Sequence, residues 1–177
     1  MRILVLGASG MIGHKLFNYF SCKYDTFGTL RASKKNYAFE NYDNIIDYFD
    51  VRNFNALKSN LANLKPDIVL YCIGIVKQIS ESASIKDQIL LNSIIPHLLS
   101  ELSVSMEFRF ISFSSDCIFS GLRGDYTEDD ISDASDIYGL TKSLGEVSNG
   151  NSLTIRTSTI GLELAHKHGL IEWFLSR

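Results

Sequence analysis

Apolar positions along the chain alternate between unbroken short runs and a helical repeat. An unbroken run suits a strand buried on both faces, and a 3.6-residue repeat suits a helix with one covered face. Residues 2–6 (RILVL) are the first run, and Met11, Ile12, Leu16, Phe17 and Phe20 then recur at helical spacing. A second strand is predicted over 25–30, a polar connection over 32–44, and a third strand over 45–49. Phe54, Leu57, Leu61 and Leu64 place a helix over about 53–64, which Pro66 stops. The run DIVLYCI at 67–73 is the fourth strand, ended by Gly74. A long helix follows over about 85–102, with Pro96 predicting a kink or a broken turn. The fifth strand is predicted at 108–113 and a loop at 120–136. A helix over about 138–150, a sixth strand at 152–158 and an apolar helix start in GLIEWFLSR complete the pattern. Trp173 and Phe174 are expected in the core of that last helix.

Strand and helix alternating from end to end predict an α/β, doubly wound parallel sheet of the Rossmann type, in the order 3-2-1-4-5-6. Such a sheet binds ligands at the carboxyl ends of its strands, where Gly7, Arg31, Asp50, Gly74 and Ser115 fall. Gly7, Gly10 and Gly13 stand between the first strand and the first helix. A turn there needs freedom from Cβ clashes, and the unpaired N–H groups at the helix start face an anion. The motif therefore predicts a phosphate site. The second strand ends Thr29-Leu30-Arg31 without an acid, which favours NADP(H) over NAD(H), the alternative cofactor.

Composition narrows the picture further. The chain has 177 residues, 45% of them apolar, and a net charge of -3, which suits a soluble domain with a sizeable core. That charge gives no reason to expect nucleic acid or an anionic membrane as partner. No run approaches a membrane span, and a core strand opens the chain, so the expected location is the cytoplasm. Cys22, Cys72 and Cys117 lie far apart and are expected as reduced thiols. No metal site is expected, His166 and His168 included.

Tyr138 and Lys142 are four residues apart, on one face of a predicted helix. A phenol is a poor proton donor at neutral pH, and a neighbouring ammonium is expected to lower its pKa. Ser115 at the end of the fifth strand reaches the same crevice and can orient a carbonyl oxygen. Asp116 has two readings, a turn cap or a contact to substrate or cofactor. Asn92 is either a partner of the kink near Pro96 or a site residue.

Taken together, GASGMIG at 7–13, Asp50-Val51, SSDCIFSG at 114–121, YTEDD at 126–130, YGLTK at 138–142 and Gly145-Glu146 resemble an extended short-chain dehydrogenase/reductase. The branch is that of dTDP-4-dehydrorhamnose reductase-like sugar-nucleotide reductases. The resemblance implies that Gly7, Gly10, Met11, Ile12 and Gly13 hold a pyrophosphate and that Arg31 meets the adenosine 2′-phosphate. It sets Asp50 and Val51 against adenine, with Cys72, Ile73 and Gly74 lining the cofactor. Ser115, Tyr138 and Lys142 take the catalytic positions, with Tyr138 and Lys142 also touching cofactor. Ser115 and Asp116 face substrate, and Asn92 matches the family's helix asparagine. Residues 1–160 would be the dinucleotide-binding domain and 161–177 the start of a truncated substrate lobe.

The reaction implied is NAD(P)H-dependent reduction of a nucleoside-diphosphate 4-keto-6-deoxysugar, for surface polysaccharide synthesis. Two alternatives stand beside it: a sugar-nucleotide epimerase or dehydratase with bound NAD, and a non-catalytic nucleotide-binding regulatory module. Pairing of two copies into a homodimer is left open.

Overall fold

Burial on alternate sides of each strand builds two cores, one on each face of a single sheet. The computed structural model describes residues 1–37, 39, 41–164 and 170–177. Six parallel strands run in the order β3-β2-β1-β4-β5-β6. They are β1 (Arg2–Leu6), β2 (Asp25–Thr29), β3 (Ile45–Ile46), β4 (Ile68–Tyr71), β5 (Arg109–Ser115) and β6 (Ser152–Thr157). Leu4 and Leu6 point to one face, where Val69, Tyr71 and Phe110 meet α2 (Phe54–Leu64) and α5 (Ile95–Ser105). Ile3 and Val5 point to the other face and pack with Phe17 of α1 (Met11–Ser21), Leu30 and Phe39. The predicted architecture and strand order are those observed.

Because α1 leaves β1 on one face and the connection from β4 leaves on the other, a crevice opens between the carboxyl ends of β1 and β4. The shorter helices α3 (Lys77–Ser80), α4 (Ile85–Ile89) and α6 (Ile137–Leu144), with α7 (Leu170–Leu175) near the end, complete the chain. Among the described residues no helix is long and apolar enough to cross a membrane.

Three predicted elements differ in extent. The third strand stops at Ile46 instead of Phe49, because Tyr48 takes a left-handed backbone (φ 53°) and turns the chain outward. The helix after Asp136 ends at Leu144 instead of running to 150. Gly145 lies so close to the Asn92 carbonyl oxygen that a Cβ would stand 1.8 Å from it. The break in the long helix falls before Pro96, not at it: residues Leu90–Ile94 form a π-helical turn. Pro96 follows within the first positions of α5, where its missing N–H is tolerated. The expectations placed on His166, His168 and the Trp173 side chain lie outside the described residues, while Phe174, expected in the core, is exposed.

Candidate active site

The glycine turn is built from both sides. Gly7 has φ 86°, and a Cβ there would lie 2.7 Å from Ile73 Cγ1. A Cβ on Gly13 would stand 2.1 Å from the Gly7 carbonyl oxygen, so this glycine lets α1 dock on the end of β1. Gly10 differs: the nearest atoms to a Cβ there are 3.5 Å away, an ordinary contact. The protein itself does not require glycine at 10. Gly10 is also the N-cap of α1 and offers no side-chain cap, which leaves the first-turn N–H groups to a ligand. The Gly7 N–H donates to Thr29 Oγ1 (3.1 Å) and the Ala8 N–H to the Thr29 carbonyl (2.9 Å). These bonds tie the turn to the end of β2, two residues before Arg31.

From the turn, a cleft of about 730 Å³ runs across the carboxyl ends of β1, β4, β5 and β6. Gly10, Met11 and Ile12 line one end; Cys72, Ile73 and Gly74 form a wall; Ser115, Asp116, Tyr138 and Lys142 line the far end. The structure thus brings together ten of the residues singled out from sequence. Gly7 and Gly13 act through the backbone of the turn. Arg31, Asp50, Val51 and Asn92 stand outside the cleft lining. Val51 is buried in the core beside Leu57 and Leu61, and the Asp50 carboxylate is gripped by Arg52.

Asn92 is a strut. It is 2% exposed, and its Oδ1 accepts from the Ile75 N–H (2.9 Å). Its Nδ2 donates to the Ile75 carbonyl (3.1 Å) and to Thr141 Oγ1 (3.2 Å). Ser93 Oγ donates to the Thr141 carbonyl (2.7 Å). The π turn therefore fastens the wall after β4 to α6, the helix that carries Tyr138 and Lys142. Gly139 serves the same packing: a Cβ there would lie 2.4 Å from the Cys117 carbonyl oxygen.

The Ser115 hydroxyl donates to Asp116 Oδ1 (3.1 Å) and accepts from the Cys117 N–H (3.1 Å), capping the short 3₁₀ turn Asp116–Ile118. Tyr138 is 9% exposed. Burial raises its pKa, opposed by the nearby Ser115 hydroxyl and by the charge of Lys77. This corrects the expected tuning by Lys142. The Lys142 ammonium is held on the Phe113 carbonyl (Nζ–O 2.5 Å), and burial pushes its own pKa down to about 8. Burial also pushes the Cys72 thiol up to about 12, which leaves it protonated at neutral pH.

Sequence reasoning missed the rest of the wall, Ile75–Ile79, together with Thr157 at the end of β6 and the segment Ser158–Gly161 that follows it. The rule that ligands sit at the carboxyl ends of strands points to both. Lys77 pairs with Asp136, the N-cap of α6 (3.3 Å), across the cleft mouth. Ser114, also in the lining, is 6% exposed, and its Oγ has no partner among the described residues.

A doubly wound sheet with a glycine turn at its switch point, and serine, tyrosine and lysine side chains in the cleft beside it, is a Rossmann-type fold. Residues 1–168 match the family described as RmlD substrate binding domain, and the chain belongs to it. It is 29% identical over 152 residues to methionine adenosyltransferase 2 subunit beta of Xenopus tropicalis, covering 82% of this chain and 41% of the relative. It is 29% identical over 148 residues to a probable dTDP-4,6-dihydroxy-2-methyloxan-3-one 4-ketoreductase of Streptomyces antibioticus, covering 82% and 45%. The chain thus spans less than half the length of these relatives.

Among solved structures, a hypothetical dTDP-4-dehydrorhamnose reductase of Sulfolobus tokodaii superposes with a TM-score of 0.79 at 25% identity, covering 90% of this chain and 56% of that one. The dTDP-4-dehydrorhamnose reductase of Bacillus anthracis, solved with NADP, has a TM-score of 0.70 at 22% identity, covering 89% and 53%.

Proposed function

We propose that this chain carries the cofactor-binding and proton-donating part of an NADP(H)-dependent reductase of a nucleoside-diphosphate 4-keto-6-deoxysugar, working in surface polysaccharide synthesis. The observation that carries the reading is the single cleft shared by the glycine turn and by Ser115, Tyr138 and Lys142. The residues present suit a nicotinamide dinucleotide. Gly10 leaves room that the protein does not use, the first turn of α1 is uncapped, and the buried Ser114 hydroxyl lacks a partner. Gly7, Gly10, Met11, Ile12 and Gly13 would hold the pyrophosphate, and Cys72, Ile73 and Gly74 the wall beside it. Arg31 would meet the 2′-phosphate. When bound, NADPH supplies the hydride to the keto carbon.

In this reading Tyr138 donates its phenolic proton to the carbonyl oxygen as negative charge develops there. The Ser115 hydroxyl donates a hydrogen bond to the same oxygen and orients it. The Lys142 ammonium, released from the Phe113 carbonyl, binds ribose hydroxyls. Asp116, which accepts from Ser115, fixes that hydroxyl's direction until substrate displaces it.

The test is NADPH oxidation with 4-keto-6-deoxysugar nucleotides, run on the chain and on any longer protein that contains it. Tyr138→Phe is expected to cut the rate by about 10²-fold or more. Absence of turnover with every such sugar, or full activity in the phenylalanine variant, would overturn the reading. A second reading, a nucleotide-binding module within a larger assembly, is favoured by the relative named as an adenosyltransferase subunit. Cofactor binding without turnover, together with a stable complex with another protein, would select it.

A further inference from the structure

The adenosine end of the site holds a carboxylate where a 2′-phosphate reading needs positive charge. The Phe49 N–H donates to the Leu30 carbonyl (2.9 Å), which sets the next residues, Asp50 and Arg31, side by side at the sheet's carboxyl edge. An acid in this region repels a 2′-phosphate and can pair with the arginine meant to receive it. Yet Arg31 makes no hydrogen bond or ion pair among the described residues.

Asp50 is instead occupied by Arg52. Arg52 Nε lies 3.0 Å from both carboxylate oxygens, and its Nη2 lies 2.6 Å from Oδ2. The Arg52 N–H also donates to Oδ1 (2.9 Å). On its far side Arg52 Nη1 is braced by Asp87 of α4 (3.6 Å). Arg52 is the main cause that holds the Asp50 carboxyl below its usual range, with a smaller part from the Arg31 charge.

We propose that Arg52 sets cofactor specificity by occupying Asp50: it neutralises that carboxylate and keeps it off Arg31, which stays free for an adenosine 2′-phosphate. The inference rests on the assignment of Arg31 to the 2′-phosphate. Arg52 is a positioning residue, acting through its neighbours and touching no cofactor itself. The pair is well exposed, 42% for Arg52 and 38% for Asp50, so the effect is modest.

The test is direct titration of the 177-residue chain with NADPH and with NADH, followed by calorimetry. Arg52→Gln is expected to weaken NADPH roughly two- to fivefold and leave NADH unchanged. Adding Asp50→Asn to Arg52→Gln restores the wild-type ratio of the two affinities, because the acid itself is gone. Arg52→Lys falls between, since it keeps the charge and loses the fork. Equal weakening of both cofactors by Arg52→Gln, no weakening of NADPH, or no rescue by Asp50→Asn overturns the proposal. Arg31→Ser reads the underlying assignment separately: an unchanged NADPH-to-NADH ratio in that variant overturns the role of Arg31 itself.

Discussion

Replacing Asn92 by leucine tests the strut between the cofactor wall and the helix of Tyr138. Leucine fills nearly the same volume, so the cost of a cavity or of overpacking stays small. What is lost is pairing. The Ile75 N–H and carbonyl, both bonded to the buried Asn92 amide, are stranded. Thr141 Oγ1 keeps its bond to the Tyr138 carbonyl (3.0 Å) and adds little. At about 1–3 kcal/mol for each of the two stranded groups, the variant should lose about 2–6 kcal/mol. That is a large part of a typical total of about 5–15 kcal/mol. Urea unfolding measures the loss directly, and for a chain of this size the loss lowers the melting midpoint by roughly 4–24 °C.

Asn92→Asp separates the donor from the acceptor. It keeps an acceptor for the Ile75 N–H but sets a second oxygen against the Ile75 carbonyl. Burial raises the folded-state pKa of the new carboxyl above its unfolded value of about 3.9, so the folded state binds more protons. The penalty is therefore absent below about pH 4, grows as pH rises, and levels off once the folded carboxyl has ionised. A loss under about 0.5 kcal/mol in the leucine variant, or a pH-independent loss in the aspartate variant, would refute the strut.

Other substitutions separate folding from binding. Gly13→Ala, with its Cβ 2.1 Å from the Gly7 oxygen, should destabilise by about 1–3 kcal/mol or more and abolish nucleotide binding, read by unfolding and calorimetry. Gly10→Ala should fold within about 1 kcal/mol of wild type, because its Cβ makes only ordinary 3.5 Å contacts with the Cys72 and Gly7 carbonyl oxygens, yet lose nucleotide affinity, because the added methyl stands where a phosphate would approach. The folded-state pKa of Lys142 is depressed to about 8, against an ordinary value of 10.5, so between these values the unfolded chain binds the extra proton. Wild-type stability relative to Lys142→Met should therefore rise with pH across that window, as urea midpoints from pH 7 to 10 would record. A flat difference would mean that the ammonium is not buried as described.

The sheet was legible because its strands are apolar on both sides, so RILVL and DIVLYC stand out against any helical repeat. The glycine turn and the Tyr138–Lys142 pair were legible because each needs only local spacing. The remaining features depend on contacts between distant segments. Tyr48 in a left-handed conformation ends β3, and nothing in IIDYFD announces it. Pro96 announced a break but not its position; that is set by Asn92 reaching Ile75 and by Gly145 resting on the Asn92 carbonyl. The Tyr138 pKa was misjudged because charge spacing along a helix says nothing about where an ammonium ends. Here the Phe113 carbonyl, 29 residues earlier, holds it. Gly139 and Gly145 belonged to a motif read by resemblance, and only the packing of α6 on the Cys117 and Asn92 carbonyls shows why neither position has room for a side chain.

The strut has a mechanical consequence. The wall after β4 and the helix that carries Tyr138 are tied together through Asn92, Ser93 and Thr141, so they form one jaw of the cleft. The opposite jaw is the segment after β6, which meets α1 where Gly161 rests on Met11. Whatever enters between them meets a side on which the distance from the wall to the Tyr138 phenol is set by these bonds. The segment from Ser158 to Gly161 is the side left to accommodate its shape.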